Sequence, residues 1–361
     1  MDVLKPDVFV IEGIRYRVNP GNYVSYGEKL EEPCYENYEE LPDIETLSDG
    51  EDDIEQAEGG RYKTSFHIAM TYFAYIIGSK GATKKRLETE TRTKIFIPKI
   101  GHSGDIVITG ASKKDVASAR RRIRLMVLSS RKRLAYTHFI SIPMTGLSIQ
   151  SGFMSFKSEV LEKCKDRGIS ENIFQNPERL HLTIGLLVLS DKVERSEAAK
   201  ALEECKEVVI RPILSGKKLR LVMCGIDIMN DEFSDVDILY GKVNCKNDDI
   251  DLQDFVDSIN SFFYKKGLSD KNEPVKLHVT LMNTKFGVKK DTEEEEEIRP
   301  VMRGNNREKK KSETFDASNI IKNFQDYYFG EENITSIELS TMHDSSNGQG
   351  YYLASAAIDI S

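Results

Sequence analysis

Long apolar runs are the plainest lack of this 361-residue chain. None approaches the ~20 residues that a helix needs to cross a bilayer, so no contact with a membrane is expected. Cysteine is scarce too. The five thiols (Cys34, Cys164, Cys205, Cys224, Cys245) are odd in number and never in C-x-x-C spacing. Neither a disulfide framework nor a zinc site is indicated, and the thiols read as reduced groups of an intracellular protein. The start, Met1 to Asp7, has no basic stretch leading into an apolar one, so a secretion signal is not expected. No carboxylate cluster accompanies the six histidines, and no metal or other cofactor is expected.

What is present divides sharply by charge. The net charge of −8 spreads over 39% hydrophobic and 30% charged residues, enough for real cores under an extensive solvated surface. Residues 1–60 carry 4 basic and 17 acidic side chains, whereas residues 61–135 carry 18 basic and 4 acidic ones. A basic block enclosed by acidic ones is the asymmetry of a nucleic-acid-binding module inside a larger protein. Length alone predicts about two or three domains.

In order, residues 1–34 hold a small hairpin, Val8–Ile11 and Ile14–Val18 around Glu12-Gly13. Residues 35–60 read as a disordered acidic linker, since Tyr35 to Glu58 has eleven acidic residues and no basic one. A tail that folds back on the basic module and competes with nucleic acid is the sharper alternative. Residues 61–133 alternate strand, helix, helix, strand, strand, helix. The first two helices meet at Ile76-Ile77-Gly78-Ser79-Lys80-Gly81.

Glycines on both sides of a two-residue tip let the backbone approach a nucleic-acid backbone. The following helix adds free N–H groups for a phosphate, and Lys84, Lys85 and Arg86 add charge. Ile76, Ile77 and Ile97 would line a groove. This order and charge resemble a type I KH domain (βααββα), which implies binding of about four unpaired bases of single-stranded RNA, or of single-stranded DNA. Arg120-Arg121-Arg122, Arg124 and Arg131-Lys132-Arg133 extend that footprint, form a solvated helix face or make a weak nuclear-import signal.

From residue 134 to 361 the chain reads as mixed helix and strand, interrupted at 287–313 by a low-complexity charged insert. The insert is read as a disordered surface loop. Two stretches repeat one pattern: Leu180-His181-Leu182-Thr183-Ile184 and Leu277-His278-Val279-Thr280-Leu281. On a strand, i and i+2 share a face, so His181 projects with Thr183 and His278 with Thr280. Two imidazoles and two hydroxyls on adjacent strands would suit acid–base chemistry on a phosphate. His138, His67, His102 and His343 are read as non-catalytic. Arg179 and Asn283 are candidates for phosphate or base binding, and Tyr240 is assigned to the core.

The duplicated motif resembles the two-histidine phosphoesterase superfamily. Phe174-x-Asn176-Pro177-x-x-Leu180 before the first copy resembles the branch related to the central domain of a kinase-anchoring protein. The resemblance implies an α+β fold of two pseudo-symmetric lobes, antiparallel sheets flanked by helices. It implies a metal-independent phosphodiesterase with His181, Thr183, His278 and Thr280 as catalytic residues, opening a 2′,3′-cyclic phosphate or processing a 3′ end. With the KH module ahead of it, it also implies a subunit, nuclear or both nuclear and cytoplasmic, of a helicase-containing complex in transcription and alkylation-damage repair. The alternative is a non-catalytic adaptor that uses the phosphoesterase fold only to recognise an RNA end.

Overall fold

The computed structural model describes residues 8–11, 14–17, 53–99, 104–247, 249–287, 314–342 and 350–361. The first two strands, β1 (Val8–Ile11) and β2 (Ile14–Arg17), pair antiparallel as a hairpin. Residues 35–52 of the acidic linker, residues 288–313 of the charged insert, His102 and His343 lie outside the described residues.

The KH unit starts earlier than its charge suggests. Residues 53–60, expected in the linker, supply β3 (Glu55–Ala57), which pairs with β4 (Arg61–Phe66). The correction has a physical cause. Ile54 is buried in the KH core, and Asp53 accepts a 2.8 Å bond from the buried Arg120; that bond first, and the guanidinium charge with it, holds the Asp53 carboxyl below its usual range. Then come α1 (Phe73–Ile77), α2 (Ala82–Thr91), β5 (Thr93–Phe96), β6 (Ile106–Gly110) and α3 (Lys113–Arg131). The sheet order is β3-β4-β6-β5. α3 begins where Ser112 Oγ accepts from the Asp115 N–H, an N-cap that replaces a missing helical partner.

The second domain contains β7 (His138–Pro143), α4 (Leu147–Lys163), β8 (His181–Leu187), α5 (Lys192–Cys205), α6 (Arg211–Leu214) and β9 (Arg220–Ile228). It continues through β10 (Ile238–Cys245), α7 (Leu252–Lys265), β11 (His278–Asn283), α8 (Ser318–Phe324), β12 (Tyr328–Asn333), β13 (Ser336–Thr341) and β14 (Ala354–Asp359). The sequence from Asn319 to Phe329 reads as one helix, but the helix ends at Phe324 and a strand follows.

All eight strands join one antiparallel sheet, in the order β12-β9-β10-β11-β8-β7-β13-β14. Its two four-stranded halves are the expected lobes, but they are not consecutive halves of the chain. β7, β8, β13 and β14 make one half and β9 to β12 the other. They meet at the β11–β8 seam, registered at the single pair Val279↔Leu182. α4 packs on β12, α5 on β14 and α7 on β8, each closing apolar surface on one side of the sheet. On the opposite face, at the seam, His181, Thr183, His278 and Thr280 stay half-buried.

Candidate active site and nucleic-acid interface

Both His-x-Thr stretches lie on the two central strands. Leu182, Ile184, Val279 and Leu281 are buried, whereas His181, Thr183, His278 and Thr280 are half-buried on the other face. Continuing the antiparallel register from Val279↔Leu182 by one residue sets His278 opposite Thr183 and Thr280 opposite His181. Each imidazole therefore faces the other motif's hydroxyl.

The two rings are held alike. The His181 Nδ1 lies 2.7 Å from the carbonyl oxygen of Arg179, and the His278 Nδ1 lies 2.7 Å from that of Lys276. A carbonyl only accepts, so each Nδ1 carries the proton and donates it. Nε2 is then the lone-pair nitrogen of the neutral ring. Burial pushes His181 down to about 4, helped by the nearby His278 and opposed by the Arg179 carbonyl. Burial also lowers His278, with Lys276 adding to the shift and its carbonyl opposing it. Before an anion arrives, both rings are neutral at pH 7.

The turn ahead of β8 is built for this. Asn176 Oδ1 accepts from the Glu178 N–H, capping the turn Pro177–Arg179. Gln175 N–H donates 2.8 Å to the Leu281 carbonyl, tying the turn to the other histidine strand. Arg179 holds its guanidinium 4.8 Å from the Tyr352 ring and donates to the Gly350 carbonyl, so it braces the wall. Asn283 accepts from the Lys285 N–H and starts a turn.

Several wall residues escaped the sequence reading. Phe139 and Tyr352 rings pack against His181 at 5.0 and 5.4 Å. Tyr351 bonds Ser141, which pairs with Thr183 in the sheet. Nothing local marks them, because Tyr351 and Tyr352 arrive from the far end of the chain. Tyr240 is buried, as expected of a core residue, but it is also wall: its ring meets His278 at 5.8 Å, with the Lys276 ammonium over it at 4.7 Å.

His138 is buried, with Thr137 Oγ1 on its Nδ1 and no partner on Nε2. His67 instead pairs with Asp191 at 2.7 Å. Neither lies at the seam.

On the KH unit, the Gly78–Gly81 tip turns through left-handed backbone. Gly78, Lys80 and Gly81 have φ of 71°, 50° and 79°. A Cβ at Gly78 would sit 2.1 Å from Thr83 Oγ1, so glycine is required there. Ser79, Lys80, Lys85 and Arg86 are exposed beside it and Ile77 is half-buried. Lys84 is half-buried and bonds Glu88. Ile76 corrects an expectation: it has no exposed surface and belongs to the KH core, because α1 turns it toward the sheet with Phe73. It supports the loop and cannot line a groove. Arg120 and Arg131 are likewise buried, and Arg122 pairs with Glu90.

Residues 136–360 match the family described as "AKAP7 2'5' RNA ligase-like domain". The chain belongs to that family. Residues 63–125 match the KH domain. A relative from Mus musculus, "Activating signal cointegrator 1 complex subunit 1", is 39% identical over 345 residues, covering 94% of each chain. Among solved structures, the first type I KH domain of human vigilin is 30% identical over 23% of this chain and 88% of its own, with a TM-score of 0.20. The family member thus carries a KH domain ahead of a phosphoesterase-like domain.

Proposed function

We propose that this chain is an RNA-binding phosphodiesterase whose KH module delivers single-stranded RNA to the two-histidine cleft, where a 2′,3′-cyclic phosphate is opened or a 3′ end processed. The observation that carries the reading is the matched pair of imidazoles. Each donates Nδ1–H to a backbone carbonyl two residues back and presents an unprotonated Nε2 beside the other motif's threonine.

The chemistry follows from that pairing. A phosphodiester anion between two neutral imidazoles raises the affinity of both for a proton, and one takes it up. The neutral ring then accepts the proton of the attacking water or ribose hydroxyl, while the charged ring gives its proton to the leaving ribose oxygen. Thr183 and Thr280 hydroxyls donate to the non-bridging oxygens as negative charge builds there. The scheme moves protons without needing a metal. The near-symmetry of the two strands lets either ring serve as base. The relative's name supports a further part of the proposal, membership of an activating signal cointegrator 1 complex. The helicase partner, the role in transcription and alkylation-damage repair, and residence in the nucleus belong to the same proposal.

The test is incubation of the EDTA-treated chain with short single-stranded RNAs bearing different 3′ ends, read by mass spectrometry. Product that survives EDTA and disappears in His181→Ala and in His278→Ala is expected, a loss on the order of 10²–10⁴-fold. Tight binding with no product from any RNA would leave an adaptor that recognises ends.

A further inference from the structure

A second basic feature lies away from the Gly78–Gly81 tip, at the far end of α2. A pocket of about 500 Å³ is lined there by Arg61, Lys85, Arg92 and Lys94, with the threonines 89, 93 and 109 between them. Its one acid, Glu88, is already engaged, accepting from the Ile95 N–H at 2.8 Å and from Lys84 at 3.1 Å. The four cations are exposed and form no ion pair among the described residues. The Glu88 carboxylate, which also feels the charge of Lys94, is the one acid in the lining, and four exposed cations around one concavity favour a polyanion.

The backbone gives an independent pointer. Arg92 follows the last residue of α2 with φ 52° and ψ 38°, the left-handed conformation for which glycine is usual at this position. A bulky side chain there is strained, yet it puts a guanidinium in the pocket. The helix α2 links the pocket to the glycine loop. Lys85, which lines the pocket, lies one turn beyond Gly81 on α2, and Arg92 caps the other end of that helix. Past the pocket, Phe96 shares the outward face of β5 with Lys94 and is 63% exposed. An exposed aromatic next to cations is what a nucleobase stacks on.

We propose that this pocket is a second phosphate-binding site of the KH module, taking the backbone of a single-stranded RNA already engaged at Gly78–Gly81, with a base stacked on Phe96. The RNA footprint then runs the length of α2 and around the β5 edge. The inference rests on the KH module binding RNA at the glycine loop.

Fluorescence anisotropy of the full chain with RNAs of about four and about ten nucleotides separates the pocket from the loop. Arg92→Gly with Lys94→Gln is expected to weaken the longer RNA roughly 3- to 10-fold and leave the shorter unchanged. The slope of log affinity against log salt should flatten by about 0.7 for each phosphate that the variant no longer neutralises. Arg92→Gly alone should keep or raise the melting temperature, since glycine suits that φ, so weaker binding could not be ascribed to misfolding. Equal affinities of the native chain for both lengths would overturn the proposal, as would equal losses for both in the variant. Tighter RNA binding by the variant would instead assign the pocket to the chain's own acidic segment and also overturn it. Ser79→Asp with Lys80→Asp should abolish binding at both lengths. If it does not, the glycine-loop reading fails, whatever the pocket does.

Discussion

A histidine on a strand says little until its neighbours are known, and the two kinds here show why. His181 and His278 half-face a cleft and are anchored through Nδ1, so their lowered proton affinity leaves two usable Nε2 atoms. His138 has a similar depression, to about 4, but it is sealed in the sheet, where burial outweighs everything else and Arg195 adds to the shift. Its consequence is for stability. The unfolded chain binds a proton near pH 6.5 and the folded chain only near 4. The contribution is therefore whole above pH 6.5 and is lost as the pH falls toward 4. Urea unfolding at pH 7 and pH 4.5 should show a loss on the order of 2 kcal/mol from this group, and His138→Leu should remove that part of the difference. An unchanged pH dependence in the variant would contradict the assignment. The His-x-Thr face was legible because alternation along a strand needs only local spacing. The walls around it were not, since Phe139, Tyr240 and Tyr352 reach the rings from other strands and loops.

Among the elements, α2 is the helix that the stretch after Gly81 predicts from Ala82 to Thr91, and it spans those residues, because a glycine sets its start. β12 was not legible. Tyr328 and Phe329 read as the end of a helix from Asn319, and the strand carries Gly330 at φ 142° with a register shift beside it. Pairing with β9 is what makes it a strand, and pairing is not written locally. The glycine loop gives a graded prediction. Gly78→Ala meets both a positive φ and the Thr83 hydroxyl, whereas Gly81→Ala meets only the positive φ, with nothing within 4 Å. Gly81→Ala should cost about 1 kcal/mol, and Gly78→Ala clearly more. RNA affinity should follow the same order. Urea unfolding and anisotropy measure both, and equal costs would count against the loop geometry.

At the scale of the whole molecule, the two domains are joined through a buried ion pair that the sequence did not announce. Arg131, at the end of α3, donates 2.5 Å to Glu194 of α5 and 2.5 Å to the Gly267 carbonyl, and its Nε reaches the Tyr72 hydroxyl. Glu194 also accepts from the Ser190 N–H, and Val188 beyond β8 packs into the KH core. Arg131 had read as one more residue of a basic run. Only burial separates it from its neighbours Lys132 and Arg133, which stay exposed. Glu194→Gln leaves an uncompensated buried guanidinium and should cost about 3 kcal/mol. Calorimetry should then resolve separate KH and phosphoesterase transitions where the native chain shows one. A single unshifted transition would argue that the junction is not coupled. Under the proposed function, a fixed junction would present RNA held on the KH face to the two histidines from a constant direction.

The most direct test of two histidines acting on one phosphate is a double-substitution cycle. Single-turnover rates would be measured on whichever 3′-end RNA the native chain converts, for His181→Ala, His278→Ala and the two combined. Groups that act as a unit are not additive: each single change should remove nearly all of the rate, and the pair should lose little more. Full rate in either single variant, or losses that multiply in the pair, would contradict the account.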